Sequence, residues 1–350
     1  MSLRAVKYVV HEPFSLSLVY CRQWFSFLKN RIIPRLNAVL PPPLKRVLCA
    51  ESAAPPRGLP PLLPFEVHSR RVARLLAGNP GSFTLHGTNC YVVGCGPSRT
   101  LVDCGEGRPS FGPALAAALA SLRCTIDAVV ITHSHFDHVG GVDQVRALLP
   151  SGVTVRKLVA PRARFDPSPP EPAPPEPGFD APLLDGELLR VDAETSLRVW
   201  RTPGHCADHA CFVLEEERAL FSGDNVLGCG SSWFEDLPAY MATLNAMLRR
   251  ANDEGLVRLY PGHGPVSDAA AAKIAEYVAH RNDRERQILG ALGAPSDPPL
   301  TSFEVVRRVY PGLAPYLVFA AQSNVLAHLG KLETDGLAAN RHFDLWARAP

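Results

Sequence analysis

The sequence lacks several features that would place it in a special class of protein. It has no uninterrupted run of 18 or more apolar residues, so it predicts no membrane-spanning helix. Its nine cysteines are an odd number, and none forms a Cys-x-x-Cys pair. This pattern argues against a disulfide framework and favours free thiols in a reducing compartment. The formal net charge is only +2, so there is no strong basic field and no signal specific for DNA.

Acidic residues are nearly missing from the N-terminus. Residues 1–50 contain eight Lys/Arg and only Glu12, a net charge of +7, which leaves −5 for residues 51–350. An apolar and aromatic segment from Phe14 to Leu28, broken by Arg22, lies within this region. These properties are typical of a mitochondrial transit peptide and predict a matrix location. One alternative is an extension that carries no targeting signal, in a cytoplasmic protein. The other is a segment that contacts a membrane surface. With the proline-rich linker that follows, the basic, targeting-like extension covers 1–64.

The remaining length suffices for one large domain and a small appendage. Short β-type runs alternate with helical patterns over 65–290 without an internal repeat, which predicts an α/β domain. Within it, 166–178 contains seven prolines and three acidic residues, and we expect a disordered loop there. Two further helical stretches indicate a small domain over 291–340, followed by a tail at 341–350.

The most informative stretch runs from Thr132 to His138. It follows a β-branched run typical of a buried strand, and apolar residues at helical spacing come after it. Side chains two apart in an extended loop point the same way, so His133 and His135 can bind one ion. Asp137 and His138 come where the helix begins and can turn toward a second ion. Three imidazoles and a carboxylate suit a borderline-soft divalent metal such as zinc.

Three later residues share a context with this loop: His205, Asp224 and His263. Each follows a β-type run and lies in a glycine-containing turn. Ligands at the ends of neighbouring strands can converge on one edge of a sheet, where loops are free to carry chemistry. The sequence therefore predicts that these three side chains lie close to the polar side chains of the Thr132–His138 loop.

With these residues in place, the chain resembles the metallo-β-lactamase superfamily from about Val72 to Leu289. The resemblance includes the His-x-His-x-Asp-His motif and the later His, Asp and His. It implies a four-layer αβ/βα sandwich that binds two divalent metal ions, expected to be Zn²⁺. His133, His135 and His205 would hold the first ion; Asp137, His138 and His263 would hold the second; and Asp224 would bridge them. Asp137 is also the candidate catalytic residue, since it could orient the nucleophile or take its proton.

Two further polar residues are candidates for bracing the metal ligands. Asp103 ends a β-type run, where it would hold a ligand imidazole or simply cap a turn. His209 would either support the site or make an ordinary structural hydrogen bond.

Further segments of the sequence indicate which family within this superfamily the chain resembles. They are 79–91, Leu220–Asp224 with Phe234–Leu237, Tyr260–Pro265 with His280–Glu285, and Asn324–Gly336. These segments resemble the β-lactamase-like protein 2 family of mitochondrial single-strand endoribonucleases, including its winged-helix-like appendage. The resemblance implies a single-stranded RNA substrate, cleaved by attack of a hydroxide shared by the two ions on a phosphodiester.

Two other interpretations of the same residues stay open. Thioesterases and other acyl hydrolases of this superfamily use the same metals, and related thioesterases share much of the Gly-Thr-Asn opening. A non-enzymatic binding module ranks last, because no ligand position is missing.

Overall fold

The computed structural model describes residues 55–149, 152–159, 176, 178–313 and 318–349. The proposed targeting segment and most of the proline-rich 166–178 loop lie outside these ranges. The chain divides into two compact units, one ending at Gln287 and the other continuing from Ile288, and each is described by itself.

A seven-stranded sheet forms the first half of the N-terminal unit, with its strands in chain order. The first four strands pair antiparallel, whereas β4 to β7 pair in parallel. The strands are β1 (Phe65–Val67), β2 (Val72–Leu76), β3 (Asn89–Val93), β4 (Ser98–Val102), β5 (Thr125–Ile131), β6 (Thr154–Leu158) and β7 (Ala181–Leu183). The helices between them are α1 (Phe111–Leu122), α2 (Phe136–Val139) and α3 (Val142–Leu148).

A five-stranded sheet forms the second half, in the order β12-β11-β10-β9-β8. Its strands are β8 (Leu188–Asp192), β9 (Thr195–Arg201), β10 (Ala210–Leu214), β11 (Ala219–Gly223) and β12 (Arg258–Pro261). Only β11 and β12 pair in parallel. The long helices α4 (Leu237–Asp253) and α5 (Ala270–Ala291) flank β12 in the sequence.

Two apolar layers show how the elements stack. Between the sheets lie alternate residues of the strands, such as Tyr91 of β3 and Phe212 of β10. The opposite face of the first sheet packs against Leu115 of α1 and Val145 of α3. On the outside of the second sheet, Arg250 of α4 lies 4.9 Å above the Trp200 ring. The result is the expected four-layer αβ/βα sandwich, because each sheet must bury both faces.

Most predicted elements are present, and the differences have local causes. Two β-type runs on either side of the charged Glu215–Arg218 segment predict a hairpin, and the pairing of Phe212 in β10 with Phe221 in β11 confirms it. The residues Thr84 and Leu85 by themselves predict a short strand, which is wrong: Leu85 has a φ of 56° and forms an isolated bridge to Gly81 that closes a turn. Strand β6 was not predicted, since Lys157 made a buried strand look polar.

The C-terminal unit consists of a helix pair and a small sheet. Helix α6 (Ser302–Val309) begins with a capping box formed by Thr301 and Glu304, and α7 (Val318–Thr334) packs against it. Strands β13 (Leu300–Thr301), β14 (Ala338–His342) and β15 (Leu345–Arg348) follow the order β13-β15-β14. This is a winged-helix arrangement. The assignment of 341–350 to a tail needs correction, because β15 pairs with both other strands and buries Trp346.

The helices among the described residues include none with the length and apolar content that crossing a membrane requires.

Candidate metal centre

The seven predicted ligands come together where strands of the two sheets end. His133 follows β5, His205 follows β9, and Asp224 and His263 follow β11 and β12. The candidate ligand atoms form two groups, and those within a group lie within 4.8 Å of one another. One group is His133, His135, His205 and Asp224, and the other is Asp137, His138, Asp224 and His263. Asp224 belongs to both groups, as the resemblance implied.

Both oxygens of the Asp224 carboxylate face ligand histidines. Its Oδ1 lies 3.5 Å from Nε2 of His138, whereas its Oδ2 lies 3.8 Å from Nε2 of His205 and 4.0 Å from Nε2 of His133. Oδ2 also approaches Nε2 of His263 at 3.3 Å. One carboxylate can therefore contact an ion in either position.

Four of the five histidines are fixed in the same way. In each, Nδ1 bonds to a protein oxygen and therefore carries a hydrogen, and Nε2 faces the centre. The Nδ1 partners are Thr132 Oγ1 for His133 (2.9 Å), Asp103 Oδ2 for His138 (2.7 Å), the Trp233 carbonyl for His205 (2.6 Å) and the Gly87 carbonyl for His263 (3.3 Å). His135 differs, because its Nδ1 faces inward, 3.0 Å from Nε2 of His205.

Asp103 lies against the ligands, which is the first of the two roles that the sequence left open for it. Its φ is 60°, and its Oδ1 accepts the N–H of Thr132 at 2.8 Å. Its Oδ2 accepts Nδ1–H of His138 and the hydroxyl of Thr132, the latter at 2.9 Å. One buried carboxylate thus orients His138 directly and His133 through Thr132. The supporting role of Thr132 was not predicted from the sequence.

His209 supports Asp224 through its backbone. Its Nε2 accepts the N–H of Asp224 at 3.2 Å, and its Nδ1 lies 2.8 Å from Thr202 Oγ1. Burial holds the pKa of His209 well below its ordinary value, so the ring is a neutral acceptor. Gly223, with a φ of 47°, leaves room for this ring, which a Cβ at that position would overlap.

The loop around His263 is held by the Gly-Thr-Asn segment. The Asn89 amide donates to the carbonyls of Pro261 and Gly264, both at 2.8 Å. Gly262 allows close approach at the same point, since a Cβ there would overlap Asp224 Oδ1 and crowd the His138 ring. This pairing explains why the motif at 87–89 accompanies the ligand at 263.

A buried ion pair braces the metal loop from another side. Lys157 is only 1% exposed, and its Nζ lies 2.9 Å from Asp208 Oδ2 and 2.7 Å from the Leu158 carbonyl. Asp208 also accepts the Ser134 hydroxyl, between the ligands His133 and His135. Burial alone would raise the pKa of Asp208, but the charge of Lys157 and the hydrogen bonds lower it. No pattern in the sequence pointed to Lys157.

The two halves of the centre differ in charge. Burial and the neighbouring histidines hold the pKa of His133 well below its ordinary value, burial lowers that of His205, and the pKa of His135 falls to about 3. In the other half, burial would also lower the histidine pKa values. There Asp224 and Asp137 outweigh it, and they raise the pKa of His263 to about 10. The pKa of His138, which also faces Asp103, is raised as well.

The donor set fits two divalent cations. Nε2 of His133, Nε2 of His138 and Oδ1 of Asp224 are buried without a hydrogen-bond partner in the described part of the chain. Buried polar atoms are costly unless something satisfies them, and these three point into the centre. Imidazole nitrogens and carboxylate oxygens in this number are typical ligands of zinc and related metals.

Comparisons with known proteins agree with this geometry. Residues 83–263 match the family model "Metallo-beta-lactamase superfamily", and residues 301–346 match "Beta-lactamase associated winged helix domain". The chain is 41% identical to "Beta-lactamase-like protein 2 homolog" of Caenorhabditis elegans over 283 residues, which cover 80% of this chain and 90% of the relative. It is 42% identical to "Atrochrysone carboxyl ACP thioesterase" of Aspergillus chevalieri over 235 residues, which cover 67% of this chain and 70% of that relative.

A solved structure supports the same assignment. A metallo-beta-lactamase family protein of Thermus thermophilus superposes with a TM-score of 0.62 at 25% identity, over 81% of this chain and 100% of that one. The matched family model spans more than half of the sequence and includes all seven predicted ligands. The chain therefore belongs to the metallo-beta-lactamase superfamily and is a metal-dependent hydrolase.

Proposed function

We propose that this hydrolase is an endoribonuclease that cleaves single-stranded RNA with two bound Zn²⁺ ions. One observation carries the choice of RNA. The likeness to the β-lactamase-like protein 2 homolog covers 90% of that relative, and a winged-helix domain follows the hydrolase domain in this chain. The motifs at 79–91, 260–265 and 280–285 resemble the same family, which implies single-strand cleavage.

The seven ligands would form two metal sites that share Asp224. His133, His135 and His205 would hold one ion, and Asp137, His138 and His263 would hold the other, with Asp224 between them. When bound, the two cations supply a water of lowered pKa and positive charge for the oxygens of the scissile phosphate. Because Nδ1 of four histidines is already hydrogen-bonded, their Nε2 atoms need no reorientation to act as ligands.

Asp137 is suited to orient the attacking water. Its Oδ2 lies 3.1 Å from Nε2 of His263 and 3.4 Å from Nε2 of His138, and part of the carboxylate stays accessible. Burial alone would raise the pKa of Asp137, but His138 and His263 hold it well below its ordinary value. The carboxylate is therefore ionised at neutral pH. It accepts a hydrogen bond readily and retains a transferred proton poorly, so it positions the nucleophile more than it stores its proton.

A thioesterase is the second candidate. The observation in its favour is the 42% identity to the Aspergillus chevalieri thioesterase, which matches the identity of the other relative over a shorter segment. A carbonyl carbon can take the place of the phosphorus atom at the same metals, so the ligand geometry does not separate the two substrates.

The test uses the full-length, zinc-loaded protein. We expect it to cut end-labelled single-stranded RNA internally, to leave the matching duplex largely intact, and to hydrolyse an acyl thioester slowly or not at all. A chelator should abolish cleavage and added Zn²⁺ should restore it. His263→Ala, purified in parallel, controls for contaminating ribonuclease. Chelator-sensitive thioester hydrolysis with intact RNA would overturn the proposal in favour of the thioesterase.

A further inference from the structure

Two aromatic side chains at the metal centre remain exposed to solvent. Phe136 lies between the ligands His135 and Asp137, and it is 53% exposed. Trp233 is 39% exposed, with its ring centroid 6.2 Å from that of His135 and 6.1 Å from that of His205. The Trp233 ring is therefore beside His135 in space, and Phe136 is the next residue after His135 in the chain. Aromatic side chains that stay exposed beside a reactive centre are available to contact a bound ligand.

The backbone of Trp233 is held firmly in place. Its carbonyl accepts Nδ1–H of His205 at 2.6 Å and the hydroxyl of Ser232 at 2.9 Å. The Ser232 hydroxyl also contacts the Asp224 carbonyl. The main chain of Trp233 therefore belongs to the same group of hydrogen bonds that orients His205 and contacts the main chain of Asp224. A ring with a fixed backbone loses little conformational entropy when something stacks on it.

Arg281 contacts the residues on both sides of Trp233 in the chain. It belongs to the motif at 280–285, which the sequence singled out without giving it a role. Its guanidinium is buried, donates to the Ser232 carbonyl, and lies 4.9 Å from the Phe234 ring and 5.5 Å from the Tyr240 ring. Planar guanidinium groups favour such stacked positions. The motif in α5 therefore positions the segment that carries Trp233.

We propose that Trp233 and Phe136 form a stacking subsite for nucleobases next to the scissile phosphate. This inference rests on the proposed function and specifies what the enzyme recognises in its substrate. Every unpaired base offers a π-face to an aromatic ring, so stacking selects single strands and tolerates many sequences. In a duplex both faces of a base are already covered by its neighbours, so the subsite discriminates against double-stranded RNA.

The experiment removes the aromatic ring and the base separately. The variants are Trp233→Leu, Trp233→Phe and Phe136→Leu, and the control is Phe319→Leu, an exposed aromatic residue of the C-terminal unit. The substrates are an oligoribonucleotide with a mapped cleavage site and the same strand with abasic residues flanking that site. Zinc content and circular dichroism verify that each variant is folded and loaded.

We expect Trp233→Leu to raise KM for the intact strand about tenfold, as loss of one stacked base would, with a much smaller change in kcat. Trp233→Phe should recover most of the affinity, and Phe319→Leu should behave as wild type. With the abasic strand, wild type should already show the raised KM. Removal of the ring and of the base should therefore be non-additive. Oligonucleotide binding should also quench tryptophan fluorescence in wild type and much less in Trp233→Phe.

The remaining outcomes separate this inference from the proposed function. Intact RNA with the wild-type enzyme overturns the endoribonuclease assignment. RNA cleavage that Trp233→Leu leaves unchanged, or impairs equally on intact and abasic strands, overturns the stacking subsite alone. A raised KM for an acyl thioester, with no change for RNA, would assign the two rings to an acyl substrate instead.

Discussion

The Asp103 carboxylate and the His138 imidazole form a hydrogen bond of 2.7 Å at the base of the metal centre. The same carboxylate accepts both the N–H and the hydroxyl of Thr132, and that hydroxyl oxygen lies 2.9 Å from Nδ1 of His133. A single acidic side chain thereby fixes one histidine from each half of the centre. Its loss should affect the binding of both ions.

Asp103→Ala should lower zinc affinity about 10- to 100-fold, because the orienting partners of metal ligands contribute on that scale. Thr132→Val should weaken mainly the half containing His133. Isothermal titration with Zn²⁺ and elemental analysis of the dialysed protein measure the effect. Asp127→Asn is the matched control, since Asp127 is an exposed acid on β5. Unchanged affinity in Asp103→Ala would contradict the orienting role.

Metal binding should depend on pH differently in the two halves. Since its pKa is raised to about 10, His263 carries a proton at neutral pH, and the pKa of His138 is shifted in the same direction. A cation must displace these protons, so the affinity of this half should fall as the pH falls from about 10. His133 and His205, with lowered pKa values, are neutral at pH 7 and should bind without releasing protons.

Calorimetric titrations of Zn²⁺ binding in two buffers with different protonation enthalpies measure how many protons the protein releases as each ion binds. We expect the half containing His138 and His263 to release more protons at pH 7, when its ion binds, than the other half does. Equal release at both steps would contradict the assigned charges.

Lys157→Met should destabilise the protein by about 3–5 kcal/mol at pH 7, because it leaves the Asp208 carboxylate buried without its cation. The pKa of Asp208 is lowered in the folded protein, so its ionisation contributes stability above its unfolded pKa. That contribution is lost as the pH falls through the folded pKa, and the defect of the variant should shrink there. Urea unfolding at several pH values measures it.

Two further variants test this interpretation of the ion pair. The double variant Lys157→Met/Asp208→Asn should recover part of the lost stability. Arg70→Met, which breaks the exposed pair with Glu194, should cost less than about 1 kcal/mol. A defect of equal size in Arg70→Met would show that burial of the ion pair is not the cause.

Gly262→Ala should disturb the metal centre itself. Its Cβ would overlap Asp224 Oδ1, so the carboxylate or the loop must move. We expect reduced occupancy of the half containing His138 and His263, measured by elemental analysis. Gly290→Ala is the control, because an added Cβ meets nothing within 4 Å in α5 and should stabilise the helix by about 0.5–1 kcal/mol. Full metal occupancy in Gly262→Ala would contradict the close-approach argument.

We also propose that residues 1–50 direct the protein to the mitochondrial matrix, on the basis of their net charge of +7. A fusion of this segment to a fluorescent reporter should accumulate in mitochondria. Replacement of its eight basic residues by glutamine should leave the reporter in the cytosol. Diffuse cytosolic fluorescence of the unmodified fusion would favour the cytoplasmic alternative.

The sequence was most informative where the chemistry is local. The loop from His133 to His138 and the helix at Ser302–Val309 could be predicted because a few adjacent residues carry the pattern. The supporting contacts could not, because they join residues far apart: Asp103 and Thr132 are separated by 29 positions, and Lys157 and Asp208 by 51. Lys157 also concealed β6, since a charged residue buried by its partners reads as a surface residue.

The parallel pairing of β11 and β12 has a consequence for which ions the protein can use. The ladder continues to the residues just before the two ligands, where the N–H of Gly262 donates to the Gly223 carbonyl at 2.8 Å. Adjacent strands lie about 4.8 Å apart, so the main chain fixes the origin of the Asp224 and His263 side chains. The sheet therefore fixes the spacing of the two backbone positions that carry these ligands. A cation of different radius can be accommodated only by rotation of the side chains, which makes the choice of metal a property of rotamers and not of the fold.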